Sequence, residues 1–221
     1  MVAFFPFAGK FSAFLAIILF FIFILIEINV ITYAFERLGI NHRYVFTILL
    51  LSFLGSSINI PIAQIISERE VVREVTNFGW HIVLPERNNV ILEVNVGGAL
   101  IPVLVSLYLL LKMSTPFRAL ISVAIVAAIS YYFATPVRGL GITIPTFIPP
   151  IVAAACAIVL NRREAPQIAY IAGSMGTLIG ADLLNLPVVA QLGSRFVSIG
   201  GAGTFDGIFF SSIIAVLLVS L

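Results

Sequence analysis

Long apolar runs separated by short polar stretches dominate this chain. Seven of them lie at roughly 11–34, 44–66, 96–112, 117–134, 145–160, 167–186 and 204–221. Runs of this kind, about 17–25 residues long, match the hydrocarbon core of a bilayer, roughly 30 Å thick, when coiled as helices. The pattern predicts an all-α polytopic membrane protein of about seven transmembrane helices, forming a single membrane domain over 1–221. Lys10 is the only charge before the first long run and no Ala-x-Ala site follows it, so this run reads as a retained span.

The sizeable polar interruption is 67–95. Ser67–Val75 is charged and reads as a short surface helix. Trp80–Leu84 and Val90–Val94 are β-rich runs on either side of the turn-like Pro85-Glu-Arg-Asn-Asn89. A small extramembrane β-hairpin follows, either a lid on the bundle or an edge to which an extended substrate adds as a strand through Val90 and Leu92.

Composition supports the membrane class. The chain is 61% hydrophobic and 10% charged, against roughly 25% charged in a soluble domain. A net charge of +2 points to no particular polyanionic partner, and no nucleic acid partner is expected. Arg37, Arg43, Lys112, Arg118, Arg162 and Arg163 fall on the side opposite the N-terminus. The positive-inside rule then predicts a plasma-membrane protein with its N-terminus outside and C-terminus cytoplasmic.

Two short patterns repeat in order. Asn59-Ile-Pro-Ile-Ala-Gln64 is similar to Asn185-Leu-Pro-Val-Val-Ala-Gln191, and Val96-Gly-Gly-Ala99 is similar to Ile199-Gly-Gly-Ala202. The copies predict a 3+1+3 internal repeat, with units of about 11–112 and 145–221 joined by a linker helix at 117–134.

Several chemistries drop out. There is no His-Glu-x-x-His, and His42 and His81 fall on opposite sides of the membrane, so no metal site is expected. Cys156 is the lone cysteine, within an apolar run. Ser174 in Gly173-Ser-Met-Gly176 misses the nucleophile elbow and reads as helix packing with Gly173, Gly176 and Gly180. Gly200-Gly-Ala-Gly203 lacks the Lys-Ser/Thr of a phosphate loop. No cofactor is expected. Glu27 sits in an apolar run nearer the side opposite the N-terminus, where it is expected to reach the interface or pair with a nearby cation.

Carboxylates remain. The chain has two aspartates, Asp182 and Asp206, both in or beside apolar runs. A carboxylate inside a span costs about 2.5–3.5 kcal/mol on insertion scales, so it tends to line a cavity and to act there. Asp182 follows Gln167 by 15 residues and Asp206 precedes Leu221 by 15. At 1.5 Å per helical residue each stands roughly 22 Å from the same face. Consecutive antiparallel spans are neighbours as a rule, so the two acids are expected to face each other. Two carboxyl groups in contact cannot both ionise and share one proton. The ionised one then takes a proton from water while the neutral one protonates a peptide carbonyl, which is aspartic proteolysis.

Gly203-Thr-Phe-Asp206-Gly-Ile-Phe-Phe-Ser211 resembles the second-aspartate segment of the presenilin and signal-peptide-peptidase intramembrane proteases, and Gly180-Ala-Asp182 resembles their first. Phe205 stands where that family has glycine. The resemblance implies catalytic Asp182 and Asp206, a substrate-facing Gly203, and a transmembrane peptide or protein as substrate, with the lipid bilayer as surroundings. The whole chain also resembles an uncharacterised family of prokaryotic polytopic membrane proteins.

A carrier is the alternative. Two three-helix units with a linking helix resemble the sugar-carrying seven-span exporters. Asn59 and Asn185 each precede a helix-breaking proline and would bind a small solute or substrate. Ser56 stands where Asp182 has its repeat counterpart, so the acids are one-sided, which suits a catalytic dyad better. The sequence leaves the oligomeric state open.

Overall fold

In the computed structural model, the described residues are 28–75, 80–137, 141–190, 195–201 and 207–221. Most of the first predicted span lies outside them, with Glu27, Gly203 and Asp206. Residues 28–37 are helical (α1) and turn at Leu38–Gly39 into α2, His42–Gly55. A hairpin follows, of β1 (Asn59–Val75) and β2 (Trp80–Asn95). Helix α3 opens with a π turn, Val96–Leu100, and continues as Ile101–Lys112. Next come α4 (Pro116–Phe133), the small strands β3 (Thr135–Val137) and β4 (Gly141–Thr143), and α5 (Ile148–Leu160).

Helix α6 runs from Ala165 as a regular helix to Ile171, then in π turns over Ala172–Gly176 and Leu178–Leu183. A short α7 (Leu186–Ala190), strand β5 (Phe196–Ile199) and α8 (Gly207–Ser220) complete the chain. The fold is mostly helical with a small sheet. Among the described residues, Pro116–Phe133 is the helix long and apolar enough to cross a membrane, with a mean hydropathy of 1.6 over 18 residues. Arg43–Gly55, Val96–Lys112, Ile148–Leu160 and Gly207–Ser220 are shorter apolar helices.

Three sequence expectations change. The run 44–66 is helical only to Gly55, because Asn59–Ile66 belongs to β1. Ile58, Ile60, Ile62, Ile65 and Ile66 are β-branched, and Pro61 has no N–H to continue a helix. Ser67–Val75 is strand, not a surface helix. Pro85–Asn89 is no turn either, since it lies within β2 opposite Ser67–Glu70 and Ile66; the strands are joined through 76–79. In this register the sequence opposes Glu68 to Arg87 and Arg69 to Glu86, and facing opposite charges favour such a pairing. The same ladder converts the local helix preference of 67–75 into strand.

The glycines of α6 set the bundle spacing. A methyl at Gly176 would lie 2.6 Å from Val126 Cβ, one at Gly180 would collide with Ala127 O, and one at Gly173 would lie 3.0 Å from Ser211 O. Rising numbers on α6 meet rising numbers on α4, so those two helices are parallel. On α8 the order reverses, so α6 and α8 are antiparallel: Gly173 meets Ser211–Ser212, and Asp182 meets Gly200 ahead of α8. Phe35, Leu109, Val126, Ile168, Tyr170 and Val216 fill the main core.

At the end of the bundle away from the hairpin, one carboxylate ties two connections together. Glu164 Oε1 accepts from Ser114 N–H (2.7 Å) and Oγ (2.9 Å), and Oε2 accepts from Thr115 Oγ1 (2.5 Å) and Asn161 Nδ2 (3.1 Å). The Thr115 hydroxyl, supported by Ser114, holds the Glu164 carboxyl below the ordinary carboxylate range despite the opposing effect of burial.

Candidate functional site

The polar groups gather where the hairpin base, the entries of α3 and α8, and the end of α6 converge. Asp182 lies in the second π turn of α6 and is half-buried. Its Oδ2 accepts the N–H of Gly200 at 2.8 Å. Gly200 has φ +69, and a methyl there would lie 2.6 Å from Ala99 Cβ and 2.7 Å from Ala99 N. Only glycine permits both that conformation and that contact.

A π turn widens the helix and displaces its hydrogen bonding, and such turns are frequent at functional positions. Asn185 answers for part of this one: its Nδ2 donates to Gly180 O and Ala181 O, both at 3.0 Å. Asn185 is therefore buried at the end of α6, with its amide N–H groups turned back to the helix.

Asn59 takes a different place, at the exposed start of β1. Its Oδ1 accepts from Asn95 Nδ2 (2.9 Å) and from Ser198 Oγ (2.8 Å). Asn95 is the hub. Nearly fully buried, it also donates to Ser56 O (2.7 Å) and accepts the N–H of Gly98 (2.8 Å), capping α3. Sequence reasoning passed over Asn95, although an Asn three residues before Gly98 at a helix start is an N-cap signal.

Val90 and Leu92 are not at an open edge. Strand β5 pairs in parallel with β2 from Ile91↔Phe196 to Val94↔Ile199, giving the sheet order β1-β2-β5. Both side chains are buried with Ala99, Leu178, Val197 and Ile208 in a second core. A substrate strand cannot add at Val90–Glu93, because β5 already fills that edge at Ile91–Val94. The structure thus brings Asp182, Asn59 and Asn185 to one end of the bundle in separate hydrogen-bond sets. Gly203 and Asp206 lie outside the described residues.

A family model matches residues 53–218, which covers every element of this junction. The chain belongs to the family described as Protein of unknown function (DUF1614). The DUF1614 match begins near the end of α2 and reaches almost to the end of α8, taking in the hairpin, Asn95, Asp182 and Gly200. No curated protein and no solved structure matches the chain.

Proposed function

We propose that this chain is a seven-span membrane protein, with N-terminus outside and C-terminus in the cytoplasm, and that it is an intramembrane aspartyl protease acting through Asp182 and Asp206. The membrane half is supported by the apolar outer faces of the helices. Leu50, Phe53 and Leu54 on α2, Leu104 and Leu111 on α3, and Phe117 and Tyr132 on α4 are exposed, while Ser106, Ser122, Ser130, Ser174, Ser211 and Ser212 are buried. Large apolar residues on the outer helix faces, with hydroxyl residues bonded between helices inside, suit helices packed in lipid. Helices of 13 or 14 residues reach only about 20 Å, so the bilayer thins around them or their flanking segments lie among the headgroups.

The single observation that carries the protease reading is the antiparallel packing of α6 on α8. Thr177 Oγ1 donates to Ser211 Oγ across that contact. Asp182 follows Thr177 by five residues and Asp206 precedes Ser211 by five, so the two acids are equally spaced in sequence from one interhelical bond. An ionised carboxylate would take a proton from the attacking water, and its protonated partner would give one to the peptide carbonyl oxygen. In proteoliposomes with a transmembrane test peptide, Asp182→Asn and Asp206→Asn should each abolish cleavage, and the double variant should be no worse. Asn keeps an acceptor for Gly200, so folding is preserved. Substantial cleavage by either single variant overturns the protease.

A carrier built on two repeats is the second reading. It is favoured by the two strand–Gly-Gly–helix entries, β2 into α3 and β5 towards α8, which run parallel with Gly200 against Ala99. The different partners of Asn59 and Asn185 weigh against a symmetric solute site. Gradient-driven solute accumulation in vesicles, with no peptide cleavage, would establish the carrier instead.

A further inference from the structure

Three arginines gather at the end of the bundle away from the hairpin. Arg118, in the first turn of α4, donates from Nη1 to the carbonyl of Leu160 at 2.9 Å, where α5 ends. Arg162 and Arg163 follow that carbonyl by two and three residues, in a single 3-10 turn. Asn161 fixes this turn. Its Oδ1 accepts the Arg163 N–H at 3.1 Å, and its Nδ2 donates to Thr115 Oγ1 at 3.0 Å. The α3–α4 and α5–α6 connections are thereby tied together, and all three arginine side chains are exposed.

One cation is enough to complement the free carbonyls at the end of α5. Three guanidinium groups so close together repel one another. The neighbouring carboxylate, Glu164, has Oε1 engaged by Ser114 and Oε2 by Thr115 and Asn161. Its single charge leaves two of the three arginines uncompensated. Large apolar side chains stand beside both connections. Phe117, 72% exposed, directly precedes Arg118, and Val159, 83% exposed, lies one turn of helix before Arg162.

We propose that Arg118, Arg162 and Arg163 bind the phosphate of an anionic phospholipid in the cytoplasmic leaflet, with its acyl chains against Phe117 and Val159. The planar guanidinium fork matches phosphate oxygens, and basic residues at a membrane surface attract anionic lipid. The positive-inside rule asks only for charge on one side. Here the Leu160 bond and the capped turn fix where the three charges stand. A free phosphate offers the same oxygens but leaves Phe117 and Val159 uncovered, so lipid is the better occupant.

The inference rests on the membrane half of the proposed function and not on proteolysis. Membranes carrying the full chain are first washed in alkaline carbonate. A chain released by the wash overturns the membrane reading and this inference with it. The retained chain is reconstituted in equal phosphatidylcholine and phosphatidylglycerol, then extracted in mild detergent, and its bound lipid is measured by mass spectrometry. Phosphatidylglycerol should be strongly preferred. Arg162→Gln with Arg163→Gln should lower that preference about tenfold, while Arg118 still holds the end of α5. Arg195→Gln, beside the hairpin base at the opposite end, should leave it unchanged. Equal retention of the two lipids, or a preference that survives Arg162→Gln with Arg163→Gln, overturns the proposal. Thermal stabilisation by inorganic phosphate equal to that by phosphatidylglycerol makes this a free-phosphate site and overturns it too.

Discussion

Gly200 donates its backbone N–H to Asp182 Oδ2 at 2.8 Å, joining the end of α6 to the turn that follows β5. The same residue lies against Ala99 at the entry of α3. One peptide therefore sets the relative positions of three elements around the carboxylate proposed to be catalytic. The aspartate accepts from a backbone donor on the turn after β5.

Gly200→Ala should destabilise the protein by about 2–4 kcal/mol, combining the left-handed backbone cost with overlap at Ala99. Denaturation in detergent measures it. Asp182→Asn should cost much less, because an amide oxygen still accepts the Gly200 N–H. A Gly200→Ala protein as stable as its parent would show that the turn can relax and that the bond does not organise the junction.

Asn95 and Asn59 share a hydrogen bond but should not be equivalent. Asn95→Ala removes the cap on Gly98 and the donors to Ser56 O and Asn59 Oδ1, leaving buried groups unpaired at a cost of about 2–4 kcal/mol. Asn59 is exposed, and Asn59→Ala should cost about 1 kcal/mol or less. Equal losses in thermal melts would contradict the ranking.

Glu164 should make stability depend on acidity. Its carboxyl titrates below the ordinary range in the folded protein, so its contribution is complete above the ordinary carboxylate pKa and disappears as pH falls through the lowered value. Glu164→Gln should melt a few degrees below the parent at neutral pH, and the gap should close in acid. A gap that is constant from pH 7 to pH 3 would mean the carboxylate's charge is not what ties Ser114, Thr115 and Asn161 together.

Much of the bundle was legible from residues alone. Helices α3, α4, α5 and α8 lie within a few residues of their apolar runs, because a helix closes its hydrogen bonds locally and an apolar run needs no distant partner to coil. Gly173, Gly176 and Gly180 were readable as packing positions for the same reason, as small residues spaced on one helix. At the site, Asp182 stood out as an acid in an apolar run, and Asn59 and Asn185 as polar residues before prolines.

The hairpin and the wiring of the site were decided by tertiary structure. The β-branched residues and Pro61 of 59–66 only disfavour a helix; the ladder itself forms with residues that lie as far off in the chain as Asn95, and that register overrides both the charged helical look of 67–75 and the turn-forming Pro85–Asn89. Val90 and Leu92 pass from a presumed open edge to a buried one because β5, a hundred residues later, pairs beside them. One partner of Asp182 is a backbone N–H, which every non-proline residue possesses, so composition and spacing alone cannot point to Gly200. Local hydrogen bonding and apolar length determine where helices occur, whereas strand pairing and the aim of a polar side chain depend on which distant segments the packed bundle brings together.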